Sequence, residues 1–466
     1  MNVNSDRPLA PALQTASPPR AAKLIVAGLC LAGYISTLLA LFPGYMTTDS
    51  AFVYGFMQEW KFGDWQSPLM SMLWWVIDPI APGSGSMFLL IATLYWLGFA
   101  LIAVAVARRS AWVGMAVPFL ALTPPAIMML VMIWRDMLFG VTWLVAAAIV
   151  YASTTKAPPI QRPIFQRSAQ CLALALVIFG VLLRPTAIIA APILAAYVIW
   201  PTRFELQRTA LIYLPGIVIG YAAIHLVYYT ILNVHRENPL HSLLVFDLGG
   251  ITHFTGINQF PVSWSESQNA MLTSSCYNTE RWDAYWTIEP CLFVMKRLEG
   301  QDTLSNGEVI FGTPRLSNAW LAAVTAHPLA YLRHRTSHFW RLISGENLTF
   351  EIHQLNVPGW TTLAQNPHFK TVLTWHDWLK STFLFRLGFW LACAGVIGAL
   401  AWPFRRTCTG AFAVAMAGSG VAYLGTFFLV GVAGDFRYGY WCVVASLAAA
   451  AALAAEAAVM KSKRSA

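Results

Sequence analysis

Uncharged stretches of bilayer-spanning length recur along the chain, separated by short charged or Pro/Gly-containing breaks. They cover residues 24–42, 87–107, 111–134, 137–155, 168–183, 185–200, 209–233, 387–404, 407–432 and 438–455. This pattern predicts an all-α polytopic membrane protein with about ten transmembrane helices. Residues 168–200 are too long for one span, and Arg184-Pro185 in their middle predicts two helices joined by a tight turn. In the loop 43–86, Phe52, Val53, Phe56, Met57 and Trp60 recur at helical spacing, with Tyr54, Gln58 and Glu59 on other faces. That spacing predicts an amphipathic helix lying in the membrane interface. A second apolar piece, 69–77, contains Trp74-Trp75 and is too short to span.

A long polar stretch, 235–379, interrupts the series of spans and has mixed short patterns. His327 to Trp340 reads as a helix with an aromatic-aliphatic side and a basic side, lying along the membrane surface. The chain therefore divides into a disordered tail (1–22), a transmembrane module (23–234), the polar segment (235–379) and C-terminal helices with a short tail (380–466). The first span has no obvious cleavage site and reads as a retained anchor.

Sidedness follows from the basic residues. Arg20/Lys23, Arg108/Arg109, Lys156/Arg162/Arg167, Arg203/Arg208, Arg405/Arg406 and Lys461/Lys463/Arg464 all fall on one side if the spans number ten. That side is expected to be the cytoplasm of a bacterial cell, with both termini inside, because short cytoplasmic loops carry the excess of Lys and Arg. Residues 235–379 and the loop holding Asp49 then lie outside. Composition agrees: 57% of residues are hydrophobic and 11% charged, against about 25% charged in soluble domains. The net charge of +9 comes largely from these clusters and excludes a nucleic-acid groove, since no basic tract is long enough for one. Cys30, Cys171, Cys393, Cys408 and Cys442 lie in or beside apolar spans. Cys276 and Cys291 share the outer segment, where they are expected to pair; two free thiols are the alternative.

Candidate chemistry gathers on the Asp49 side. Asp49, just past the first span in Phe42-Pro-Gly-Tyr-Met-Thr-Thr-Asp-Ser50, is a candidate general base at the depth where a lipid headgroup meets water. It is equally suited to cap the helix that follows. Asp64 in Gly63-Asp-Trp-Gln-Ser-Pro68 is a weaker candidate. Arg135-Asp136, Arg184 and Arg437 lie at turns on the same face, where three guanidiniums are able to hold a phosphate; local pairing with Asp136 or Asp435 is the alternative. No metal-ligand spacing or phosphate loop is present in 235–379, and a divalent metal requirement stays open.

These motifs resemble the GT-C-fold glycosyltransferases, integral membrane enzymes that use polyprenyl-phosphate-linked sugars. The likeness is to bacterial relatives of the protein O-mannosyltransferase and lipid A aminoarabinose transferase families. It rests on Pro43-Gly44…Thr48-Asp49, Gly63-Asp-Trp-Gln-Ser-Pro68, Trp134-Arg-Asp136, Leu183-Arg-Pro-Thr186 and Arg437-Tyr438. The resemblance implies Asp49 as catalytic base and Arg184 and Arg437 as donor-phosphate contacts, with Arg135, Asp136, Asp64, Gln66 and Tyr438 around them. Gln66 stands where related sequences often carry His. The implied partners are a polyprenyl-phosphate-linked sugar, a glycan or lipid acceptor and the membrane lipid itself. A transporter or flippase of a lipid-linked precursor, or a non-catalytic assembly subunit, is the alternative.

Overall fold

The computed structural model describes residues 20–155, 163–303, 305–345, 363 and 366–465. The expected tail up to residue 19, Lys156 and Arg162 lie outside the described residues. In chain order the helices are α1 Arg20–Leu41, α2 Thr48–Glu59, α3 Pro68–Ile77, α4 Ser84–Ala107, α5 Ala111–Ala121, α6 Pro124–Leu130 and α7 Arg135–Thr154. They continue with α8 Pro163–Leu183, α9 Ala191–Ile199, α10 Leu206–Ile224, α11 Leu240–Thr255, α12 Glu266–Ser274, α13 Ala284–Thr287 and α14 Phe293–Leu298. Then follow α15 Pro314–Ala326, α16 Pro328–Ser344, α17 Phe369–Leu379, α18 Leu387–Ala401, α19 Cys408–Val430 and α20 Tyr440–Ser465. Among the described residues there is no β-strand, only isolated bridges.

The protein is a multi-pass membrane protein. Eight helical stretches are long and apolar enough to cross a bilayer, and α5 with α6, bent by 51° at the Thr123-Pro124 break, makes nine. A proline at the first helical position and the clash it imposes on the preceding residue explain the break. The expected count of about ten is approximately met. The remaining expected stretch, 185–200, forms a 3-10 turn, Pro185–Ile189, and the nine-residue α9. The two expected pieces of the first loop are present as α2 and α3. In α2, Val53 and Met57 are buried, whereas Phe52 and Trp60 of the expected apolar face are exposed.

The centre of the bundle is α7, nearly all of which is buried. Phe139 and Trp143 of α7 meet Tyr423 of α19 and Trp441 of α20 at ring separations of 5.0 to 6.3 Å. Close packing of this kind, about 0.5–1.5 kcal/mol per aromatic pair, is what holds helices together where lipid is as apolar as the core. At one end of the bundle the basic groups are tied in. Arg109 pairs with Glu456 at 2.7 Å, Arg108 donates to the Ala152 carbonyl at 2.9 Å, and Phe204 N–H donates to the Arg405 carbonyl at 2.7 Å. The opposite end carries α2, α3 and the segment α11 to α16.

Among its described residues that segment is built of short helices and the loops between them, with its own core of Leu244, Phe246, Leu248, Tyr285, Val294, Leu298 and neighbours. Cys276 and Cys291 are joined in a disulfide, with Cα atoms 5.5 Å apart. Cys30 and Cys442 are buried, while Cys171 faces outward on α8. The expected helix at His327 to Trp340 is present as α16, but its basic residues divide: His334, Arg335 and His338 are fully buried, whereas Arg333 and Arg341 are exposed, as are Leu329 and Trp340. The cause is Asp247 of α11, a fully buried carboxylate that His334 and Arg335 meet. Gly250 lets α16 come that close, because a Cβ there would lie 2.3 Å from the His334 ring.

Candidate active site

The Asp49 end of the bundle is built by joining the first loop to the start of α7. Tyr45 N–H donates to the Val131 carbonyl at 2.8 Å, and Ile133 N–H donates to the Tyr45 carbonyl at 3.2 Å. Ser50 Oγ–H donates to the Ile133 carbonyl at 2.7 Å, and Trp134 Nε1–H to Thr47 Oγ1 at 2.8 Å. This pairing sets Asp49 beside Trp134-Arg135-Asp136.

Asp49 is not the helix cap. Thr47 caps α2 with Ser50 in a reciprocal capping box, which leaves the Asp49 carboxylate, two residues past the cap, free to point away from its own amides. Gln66 Nε2–H donates to Asp49 Oδ1 at 3.2 Å, and Arg437 Nη1–H donates to Oδ2 at 2.5 Å. Arg437 also pairs through Nη2 with Asp435 at 3.1 Å and lies 4.6 Å over the Trp134 ring. The chain segment that delivers it, Asp435 to Gly439, lies between α19 and α20 and is 388 residues from Asp49.

A narrow cleft of about 20 Å³, room for about one water, opens here, lined by Asp49, Val53, Gln66, Ile133, Trp134, Arg135, Asp136, Arg184 and Arg437. Three guanidiniums and two carboxylates line the cleft, and Asp435, paired with Arg437 behind it, balances the third charge. The three arginines are engaged differently. Arg437 holds two carboxylates. Arg184 holds Asp136, Nε to Oδ1 at 3.0 Å, with both side chains over nine-tenths buried, and lies 4.8 Å over the Tyr438 ring. Arg135 donates to the Trp65 carbonyl at 2.8 Å and has no carboxylate within 4.0 Å among the described residues. Arg135 is thus the cation best able to accept an incoming anion without breaking an ion pair.

Burial alone would raise the pKa of Asp49. The adjoining Arg437, through charge and hydrogen bond, with Arg135 and Arg184 behind it, outweighs that and holds the carboxyl below its ordinary value. Asp49 is therefore ionised at neutral pH, and it is a weak base for as long as Arg437 stays on it.

The sequence candidates separate cleanly. Asp49, Gln66, Arg135, Asp136, Arg184 and Arg437 share the cleft. Tyr438 lies behind it, stacked on Phe427 at 4.9 Å and beneath Arg184 and Arg437. Asp64 lies outside the lining. Its carboxylate accepts from Tyr229 O–H at 2.8 Å and from Glu237 N–H at 2.7 Å, which ties the first loop to the residues before α11. Asp136 pairs with Arg184 rather than with its neighbour Arg135. Trp134, Asp435 and the Trp65 carbonyl complete the site. Trp134 stands inside the Trp-Arg-Asp motif, so its ring was available as a signal beside the charges.

No group of three His, Cys, Asp or Glu side chains among the described residues is arranged to hold a metal ion. Asp49 and Asp136 are both committed to arginines, a donor set that does not fit a cation.

No protein-family model matches the chain, and no curated protein does. Among solved structures the chain is similar to the archaeal oligosaccharyltransferase AglB from Archaeoglobus fulgidus, in complex with an inhibitory peptide and a dolichol-phosphate. The identity is 12% and the TM-score 0.40, over 94% of this chain and 51% of that one. It is also similar to ArnT from Cupriavidus metallidurans in the apo state, at 14% identity and a TM-score of 0.30, over 92% of this chain and 77% of that one. The chain spans about half the length of AglB. Both neighbours have the GT-C fold expected from the sequence. At these scores the likeness says nothing about chemistry.

Proposed function

We propose that this protein transfers a sugar from a polyprenyl-phosphate donor to an envelope glycan or lipid acceptor at the outer face of the bacterial cytoplasmic membrane. The observation that carries the reading is the Asp49–Arg437 contact inside a cleft that also holds Arg135 and Arg184. A carboxylate base beside three guanidiniums, at the end of a membrane bundle, suits a substrate with a phosphodiester headgroup and an apolar tail. A transporter for such a lipid needs no base next to its phosphate seat.

In this mechanism the donor phosphate settles first on Arg135. It then draws Arg437 away from Asp49, since a guanidinium fork binds phosphate as well as carboxylate. Asp49, now next to an added negative charge and without its counter-ion, becomes the stronger base. It takes the proton of the acceptor hydroxyl as that oxygen attacks the anomeric carbon. The bond from that carbon to the phosphate oxygen breaks on the opposite side, the configuration inverts, and polyprenyl monophosphate leaves with one more negative charge. Arg135 and Arg437 stabilise that growing charge, and Arg184 adds to the field from its pair with Asp136.

The test is binding of the leaving group. Purified protein in lipid nanodiscs, titrated with a polyprenyl monophosphate in a calorimeter, should bind it saturably. Arg135→Ala should weaken binding by about 10- to 100-fold, the range of a charge-assisted contact worth about 1.5–3 kcal/mol. A protein that binds no polyprenyl monophosphate would sink the reading.

A further inference from the structure

The most completely buried arginine–carboxylate pair among the described residues lies outside the cleft. Asp247 on α11 and Arg335 on α16 are both completely buried, with Arg335 Nη2 2.6 Å from Asp247 Oδ1. Trp320 Nε1–H donates to Asp247 Oδ2 at 2.8 Å, His334 Nε2 lies 3.3 Å from Oδ1, and Tyr277 O–H meets His334 Nδ1 at 2.8 Å. A buried ion pair contributes little to stability over an apolar replacement of the same size, so its presence calls for another account. The other half of the Arg335 guanidinium gives one. Its Nη1–H donates to the carbonyl of Gly431 at 2.7 Å, the first residue after α19 and six before Arg437.

From Gly431 onward the chain is pinned along the same subdomain. Trp282 N–H donates to the Val432 carbonyl at 2.9 Å, Ala433 bridges Arg281, and Gly434 N–H donates to the Glu280 carbonyl at 2.6 Å. The 277–282 stretch is itself fixed to α16 by the Tyr277–His334 contact and by His338 Nδ1 against the Thr279 carbonyl at 2.8 Å. Space is tight as well: a Cβ on Gly431 would lie 2.4 Å from the Phe427 carbonyl oxygen and 2.7 Å from His338 Nε2. The next residues are Asp435, with its pair to Arg437, and Arg437 itself.

We infer that Arg335, oriented by Asp247, is a positioning residue for Arg437: it sets the start of the 431–437 segment and so the reach of Arg437 to the donor phosphate and Asp49. The inference rests on the phosphate-donor reading given above. It makes the polar subdomain part of the catalytic machinery rather than a separate binding module.

The experiment compares nanodisc-embedded variants for affinity toward polyprenyl monophosphate and for melting temperature. The double variant Arg335→Met with Asp247→Leu removes both charges together and leaves no stranded ion. It should fold, with a melting temperature lowered by the Trp320 N–H and the Gly431 carbonyl it leaves unpaired, and bind the probe at least tenfold more weakly. Arg335→Lys keeps the charge but lacks the fork that holds Asp247 and the Gly431 carbonyl together, so it should recover only part of the affinity. Gly431→Ala pushes on the segment without touching the ion pair and should lose affinity similarly, which covers the case of a double variant that does not fold. Arg297→Ala, in an ion pair of the same subdomain away from the segment, should bind normally. Folded Arg335→Met/Asp247→Leu and Gly431→Ala proteins that bind within twofold of the unaltered protein would overturn the inference while leaving the donor reading intact. No binding by the unaltered protein would remove the donor reading and this inference with it.

Discussion

Asp49→Asn should produce a protein that binds the leaving group more tightly and no longer transfers. The change keeps shape and removes one charge. It does not disturb the helix cap, which Thr47 and Ser50 supply. In the unaltered protein Arg437 shares itself between Asp49 at 2.5 Å and Asp435 at 3.1 Å, and an incoming phosphate must compete for it. Fully exposed ion pairs are worth about 0.2–1 kcal/mol, and hydrogen bonds to charged groups about 1.5–3 kcal/mol. With the Asp49 side chain 38% exposed and that of Arg437 18% exposed, the pair falls between these ranges. Releasing Arg437 is then worth about 1–2 kcal/mol, or about 5- to 30-fold in affinity for polyprenyl monophosphate. The same substitution removes the base, which costs on the order of 10²–10⁴-fold in rate. Calorimetric titration of the two proteins side by side measures the first effect and product formation the second. Unchanged or weaker binding by a folded Asp49→Asn protein would refute the competition between Asp49 and the phosphate for Arg437.

Three further predictions follow from particular contacts. Arg184→Ala strands Asp136 as a buried charge and should destabilise the protein by about 3–5 kcal/mol, seen as a lower melting temperature, whereas Arg184→Met with Asp136→Leu should restore stability. Burial pushes His338 down to about 4, while the unfolded side chain titrates near 6.5; its contribution to stability is therefore complete above about pH 6.5 and lost as pH falls toward about 4, at most about 3 kcal/mol. Melting curves between pH 7 and 4.5 should show that slope, and His338→Gln should flatten it. Reporter fusions at Arg109 and Arg406 should read cytoplasm and one at Asn306 the outside; the opposite result at Asn306 would turn the site to the other face of the membrane.

The spans were legible because apolar length is a strong local signal, and the split at Arg184-Pro185 was legible because proline interrupts a helix. The cleft was legible as a set of charges on one side, but not as a geometry. Thr47, Thr48, Asp49 and Ser50 all include good capping residues, and only the contact of Ser50 with the Ile133 carbonyl, 83 residues away, decides that Thr47 caps and Asp49 is released. Which arginine takes which carboxylate depends on helix packing: Asp136 turns to Arg184 rather than to adjacent Arg135, and Arg437 arrives from the far end of the chain. Asp64 has the same local surroundings as a site residue, and its carboxylate is claimed by Tyr229 and Glu237 from a distant segment. The helix α16 was legible from its pattern, but the inward turn of His334 and Arg335 was not, because it is set by one aspartate in α11, about ninety residues earlier, while Arg333 and Arg341 stay exposed.

The central claim is sugar transfer at Asp49, and the most direct measurement is release of polyprenyl monophosphate from polyprenyl-phosphate-linked sugars by the purified protein in proteoliposomes containing envelope glycan and lipid acceptors. The account predicts release matched one-to-one by newly glycosylated acceptor, lost on Asp49→Asn. Movement of intact donor between the leaflets, with no release of the monophosphate, would contradict it.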